Sequence, residues 1–304
     1  INVISLMSDH LKAVLIVVMS GFIWSFGPLV VKSMINPQMY QLPYLVIRGT
    51  TVALIIGFYL SINEGSSFAK KILTIDKITI IGGLSLTTAF LGFIYSISYT
   101  TAAVTLFMLA LMPFLASILA FIFLSEKISF QNLISMIIAF IGTLVMIYAS
   151  AFSGSFFGLL MGFISSLGFS AFTVTLRSKS DFKKFYIIIY AGMFCAIISI
   201  LLMIFQGQDF YLPLKNIGLS IFHGCIVASG LILFSIGSKQ LLSGELTMLS
   251  LLEVVGGIFW AWLPILGINE VPNTNTIIGG LIICVAIAMN SYRFDRKRLQ
   301  NMTR

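Results

Sequence analysis

Charge is scarce in this chain. Asp, Glu, Lys and Arg make up only 9% of its 304 residues, against 59% hydrophobic, and the mean hydropathy is +1.06. A soluble domain needs far more polar residues to cover its surface, so the composition excludes one. Histidine is limited to His10 and His223, and no His-x-x-Glu-His arrangement exists to hold a catalytic zinc. No glycine-rich phosphate loop is present, which excludes direct drive by ATP. A nucleophile elbow, the arginine-rich helix of a voltage sensor and the filter-like loop of a channel are missing too. Three cysteines, Cys195, Cys225 and Cys284, lie in separate apolar runs without ligand spacing, the pattern of buried, inert thiols. No cofactor, metal or catalytic residue is expected.

What the chain has instead is continuous apolar runs of about twenty residues, the length of a helix crossing a ~30 Å hydrocarbon layer. Strands of a membrane barrel alternate apolar and polar residues, and these runs do not. Ten spans are expected, at roughly 12–33, 43–62, 78–99, 103–124, 131–150, 155–176, 185–205, 216–238, 246–267 and 275–292. Turn-forming residues such as Asn36-Pro37, Asn63-Glu64-Gly65, Ser125-Glu126-Lys127 and Gly207-Gln208-Asp209 punctuate them. With the N-terminus inside, fifteen of the eighteen Lys and Arg residues fall on inner segments, so both termini are expected to be cytoplasmic. The formal net charge of +8 then follows from topology, and no nucleic-acid partner is implied. The first apolar run is long and flanked by Lys12 and Lys32, so no cleavable signal peptide is expected.

The chain also repeats itself. Gly21-Phe22-Ile23-Trp24-Ser25-Phe26-Gly27 returns 141 residues later as Gly162-Phe163-Ile164-Ser165-Ser166-Leu167-Gly168, with five of seven positions identical. Each copy opens a half-chain of five spans. An odd number of spans per copy turns the second copy upside down, the arrangement found in many secondary transporters. At the same offset Met112-Pro113 aligns with Glu253-Val254. Glu126 and Glu270 are 144 apart, so three extra residues are expected around Pro264 to Asn269. The expected fold is an all-α integral membrane protein of ten transmembrane helices. These form two inverted five-helix repeats, 1–150 and 151–292, around a central cavity, followed by a basic cytoplasmic tail, 293–304, against anionic headgroups.

Several elements carry a family resemblance: Trp24-Ser25-x-x-Pro28-Leu29 with Lys32, Arg48 early in span two, Tyr95, and Thr100-Thr101-Ala102-Ala103. Pro113 followed thirteen residues on by Glu126, and Gly279-Gly280 in the last span, complete the set. In this order the chain resembles the drug/metabolite transporter (DMT) superfamily, in its ten-helix EamA-like branch. The resemblance implies two EamA-like repeats forming a basket-like transporter for small metabolites such as amino acids, nucleotide precursors or sugars. Many members have Leu-Glu-Pro where this chain has Leu252-Glu253-Val254. The glutamate is kept, and the sequence cause of a helix break is lost.

Glu253 is the most informative residue. An acid near the centre of a span costs on the order of 3 kcal/mol on insertion scales, so it is expected to couple protons or to meet a cationic substrate. The plain alternative is a glutamic acid hydrogen-bonded between helices. Thr247, Ser250, Glu253, Gly257 and Trp260 share one helical face, suited to a cavity wall or to close helix packing. Trp24, Tyr95, Tyr99 and Trp260 are candidates for an aromatic cage. Arg48 is a candidate for an anionic substrate group at an outer vestibule, and with Glu253 it would read both ends of a zwitterion. Met112, Ser166 and His223 complete the expected cavity lining, with Pro28 and Pro113 as hinges. Lys32 is expected to snorkel to the interface.

The leading expectation is a secondary active transporter in the cytoplasmic membrane, working by alternating access on an amino acid or other amine-bearing solute. Coupling to protons would run through Glu253. Nucleobase, nucleoside or sugar-derivative transport is the alternative, and a membrane-embedded lipid-handling enzyme or a non-transporting subunit stands as a different class. The expected partners are a small-molecule substrate and membrane lipids, with the chain a monomer or weak homodimer.

Overall fold

The computed structural model describes residues 9–65, 67–74, 76–148, 155–179, 183–263 and 274–302. All regular structure among them is helical. The elements are α1 (Asp9–Trp24), α2 (Gly27–Lys32), α3 (Gln41–Glu64), α4 (Ser67–Lys71), α5 (Lys77–Tyr99), α6 (Ala102–Leu109), α7 (Met112–Leu124), α8 (Phe130–Tyr148), α9 (Phe156–Arg177), α10 (Lys183–Gln206), α11 (Leu214–Gly237), α12 (Ser243–Ser250), α13 (Leu252–Trp262) and α14 (Thr274–Met302). Seven stretches are long and apolar enough to cross a bilayer: Asp9–Lys32, Gln41–Glu64, Lys77–Tyr99, Val104–Leu124, Phe156–Arg177, Lys183–Gln206 and Leu214–Gly237. Phe130–Val145 and Ile277–Asn290 are shorter apolar helices. The chain is thus an all-helical, multi-span membrane protein. The expected junction of the half-chains at 150–151, the insertion around Pro264 to Asn269, and Glu270 lie outside the described residues. α14 continues through residues 293–302 of the expected tail.

Local chemistry sets the helix ends. Asp76 caps α5 by accepting from Thr79 N at 2.8 Å, Thr101 caps α6 through Val104 N, and Ser155 caps α9 through Gly158 N at 3.1 Å. Gly65 and Gly207 follow α3 and α10 with φ of +57° and +63°, where a side chain would be strained.

Three expected spans are each divided in two. Pro28 sits in the first turn of α2 and Pro113 in the first turn of α7, where the ring's missing N–H interrupts the preceding helix. The position in span six 141 residues after Pro28 is Phe169, and α9 runs unbroken. Span nine breaks at Leu251 without a proline. There the bonds tighten to three-residue spacing, Leu251 N to Met248 O at 3.1 Å and Val254 N to Leu251 O at 2.9 Å, while the Ser250 hydroxyl donates to Thr247 O. Such hydroxyl-to-carbonyl bonds compete with the helix ladder and bend it. The break therefore survives the loss of the proline.

Packing follows a regular pattern. α5 lies on α9 as α1 lies on α11; α5 meets α10 as α11 meets α3; α7 meets α9 as α13 meets α1, and α6 meets α9 as α12 meets α1. α3 with α10 and α8 with α14 pair across the two half-chains, and α7 meets α12 as α13 meets α6. Exchanging the half-chains leaves this set unchanged. The repeated glycines obey the same exchange. Gly21 faces the Leu249 and Ser250 carbonyls beside the break in span nine, and Gly162 faces Met108 beside the break in span four. At the α3–α10 crossing a Cβ on Gly49 would stand 2.7 Å from Gly192 O, and one on Gly192 2.6 Å from Gly49 O. Only glycine permits this backbone approach.

Candidate functional site

The three helix breaks converge on one cavity. Trp24 ends α1, Leu109 ends α6, Met112 begins α7 and Glu253 is the second residue of α13, and all four line it. α3 contributes Arg48, α5 gives Ala89, Phe90 and Phe93, α9 gives Ser165 and Phe169, and α11 gives His223, Val227 and Leu231. The cavity holds about 70 Å³, far below the ~300–1,000 Å³ of pockets for drug-sized ligands. In this conformation it fits a small group or a few waters.

The offset of 141 recurs in the lining. Trp24 and Ser165, Phe90 and Leu231, and Met112 and Glu253 are each 141 residues apart, and both members of every pair face the cavity. The copies are chemically unequal: one pair joins an indole to a hydroxyl, another a thioether to a carboxyl. Serines of α9 satisfy carbonyls at the break in span four. Ser166 Oγ donates to Met108 O at 2.6 Å and Ser170 Oγ to Met112 O at 3.1 Å. Interrupted helices that aim backbone groups at a central site are a recurring device of transporters.

Arg48 carries the site's permanent charge. It is 2% exposed, seven residues into α3, about 10 Å along the helix. Its guanidinium lies over the Phe90 ring, 4.4 Å from the centroid, a cation–π contact. Nε and Nη1 have no hydrogen-bond partner among the described residues, and no ion pair joins Arg48 to Glu253 there. His223 Nδ1 hydrogen-bonds the Tyr44 hydroxyl at 2.8 Å. Its ring packs against the α1–α2 break, where a Cβ on Gly27 would stand 3.2 Å from Nε2.

Of the residues expected at the site, the structure brings Trp24, Arg48, Met112, His223 and Glu253 together. Arg48 sits in the central cavity, not at an outer vestibule. Ser166 spends its hydroxyl on carbonyls, and its neighbour Ser165 takes the lining position. Tyr95 and Tyr99 stack on each other, 2° from parallel, and both meet Phe157 edge-on. Trp260 stacks on Phe26 at 4.2 Å and donates to Ser25 Oγ at 2.7 Å. Of the four candidate cage rings, only Trp24 lines the cavity, so the cage is not assembled. Pro28 and Pro113 sit at two of the breaks. Lys32 Nζ donates to Thr100 O at 2.8 Å, at the C-terminal end of α5.

A second polar cluster escaped the sequence. Arg177 Nε pairs with Glu126 Oε1 at 2.5 Å, Glu126 Oε2 accepts from Ser243 N at 2.9 Å, and Arg177 Nη1 donates to Ser238 O and Leu241 O. His10 Nε2 lies 2.9 Å from Glu245 Oε1, with both side chains buried. These contacts tie the ends of α1, α7, α9 and α12 together. The residues are up to 235 positions apart, and no local spacing announces them.

Fold and cavity together define a polytopic helical membrane protein with a small cavity where its helix breaks meet. Residues 11–148 match the model of the EamA-like transporter family. No curated protein matches the chain in sequence. A crystal structure aligns with 94% of this chain and 98% of its own length at a TM-score of 0.71 and 17% identity, a likeness that shows the shared fold alone.

Proposed function

We propose that the chain is a secondary active transporter that binds a small zwitterionic solute, an amino acid or related amine, in the cavity at the helix breaks. The carrying observation is a buried guanidinium and a half-buried carboxyl that line one cavity, with no ion pair between them among the described residues. Among the described residues Arg48 Nε and Nη1 have no hydrogen-bond partner, and Glu253 lines the same cavity with no ion pair to Arg48. A carboxylate matches the guanidinium fork, and an ammonium matches the glutamate. Two inverted repeats, supported by the exchange pattern of the packing, would open the cavity to either side in turn, with Pro28 and Pro113 at the moving breaks. Glu253 is also the group we assign to proton coupling, with its empty-state proton replaced by the substrate's ammonium.

A thermal-shift screen of purified protein tests the binding reading. Zwitterionic amino acids should raise the melting temperature, whereas simple quaternary amines and free sugars should not. Arg48→Gln should remove the shift by weakening binding about 10- to 100-fold, the worth of a charge-assisted hydrogen bond. The rings of Trp24, Phe90, Phe93 and Phe169 favour a second reading, a nucleobase stacked in the cavity. A shift by nucleobases that persists in Arg48→Gln would select it and sink the first.

A further inference from the structure

A second recess lies away from the central cavity. A groove of about 630 Å³ runs between α3 and α10, lined on α3 by residues from Thr50 to Ser61, on α10 by residues from Ile189 to Ile197, and floored by Phe68 and Ile72. Its two hydroxyl-bearing walls offer nothing to a polar solute. Thr50 Oγ1 already donates to Val46 O at 2.8 Å, and Ser61 Oγ to Phe58 O at 2.8 Å. The rest is apolar and outward-facing, with Leu54 68% and Phe58 69% exposed. From Thr50 to Ser61 the groove spans about 16 Å of helix, the depth of one hydrocarbon leaflet in a ~30 Å core. Gly57 gives it depth, since a Cβ there would meet only Phe68, at 3.8 Å.

The end of the groove at the C-terminus of α3 is basic. Lys70, Lys71 and Lys183 are exposed there. At this end Glu64 is held by Lys71 at 3.1 Å and by the Tyr186 hydroxyl at 2.6 Å. Tyr186 lies one turn after Lys183 on α10, and Tyr190 donates to Ile72 O, so α10 is bolted to α4 at this level. From these features we infer that the groove is a binding site for one anionic phospholipid. One acyl chain lies between α3 and α10, and the headgroup rests against Lys70 and Lys183. The site needs only the membrane setting of the chain and stands apart from the solute cavity.

Native mass spectrometry of the protein released from nanodiscs of equal phosphatidylglycerol and phosphatidylethanolamine tests this. A retained phospholipid adduct is expected, with phosphatidylglycerol favoured about thirtyfold, the scale for two lysines near a headgroup. Lys70→Gln with Lys183→Gln should reduce that preference to about twofold, and Gly57→Phe should remove the adduct by filling the groove. Leu54→Trp, on the exposed wall, gives the same readout if Gly57→Phe fails to fold. An adduct without headgroup preference, or one that persists in both filled variants, overturns the assignment. So does a dimer that these variants dissociate, which would make the groove a subunit interface.

Discussion

At Arg48 two demands conflict. A buried guanidinium costs several kcal/mol unless it is paired, yet among the described residues two nitrogens of this one have no hydrogen-bond partner, and it lies over the Phe90 ring. Stability alone does not favour such a residue. Replacing a buried charge by an apolar side chain of similar size is often neutral or stabilising by about 1–4 kcal/mol. Arg48→Met should therefore melt no lower than the parent protein in detergent while losing any ligand-induced shift. A fall of more than about 5 °C would mark Arg48 as a structural group. The same comparison separates the two roles open to Glu253. A glutamic acid serving only to join helices would leave ligand binding intact when changed to Gln.

The helices are held in register by contacts of graded strength. Close glycine crossings such as Gly49 on Gly192 fix how near α3 and α10 approach. Polar ties at the ends are weaker. Asp76 caps α5 and also pairs with Lys179 at the end of α9. Burial raises its carboxyl pKa, but the hydrogen bonds from Lys179 and Thr79 outweigh that and hold it at about 2, below the usual 3.8. The sign follows: this contribution is fully present above the unfolded value and disappears as pH falls from about 4 through 2. Asp76→Asn keeps the cap and deletes the charge. It should lower the melting temperature slightly at pH 7, by no more than about 2 °C because the side chain is 55% exposed, and the deficit should close near pH 2. A deficit that is constant with pH would show that the ion pair contributes nothing. Asp76→Ala should lose about 1 kcal/mol more through the cap.

Across the whole molecule, the scaffold was far more legible in the sequence than the site. Apolar runs and the Gly21–Gly27 repeat disclose the helices and their pairing, because bilayer length and close glycine contacts leave direct marks. The cavity face of each helix leaves weaker ones. In a span that is apolar on every side, periodicity does not separate lipid from cavity. The stripe of Tyr95 and Tyr99 was therefore a plausible wall on α5, where Ala89, Phe90 and Phe93 do the lining, and Ser166 was preferred to Ser165, one residue and 100° away. The break at Leu251 has no proline to announce it, and Glu126–Arg177 joins groups whose nearness depends on the finished fold. Glu253 and Arg48 were legible because a charge within a span has few tolerable positions.

The account stands on a cavity that takes a zwitterion between Arg48 and Glu253 and carries it across the bilayer. Uptake of a radiolabelled zwitterionic amino acid by proteoliposomes under an imposed pH gradient tests this most directly. The wild-type protein should accumulate the solute above its outside concentration. Arg48→Gln should reduce uptake about 10- to 100-fold, and Glu253→Gln should lose accumulation and its pH dependence. No uptake by the wild-type protein, or undiminished pH-driven accumulation by Glu253→Gln, would contradict the account.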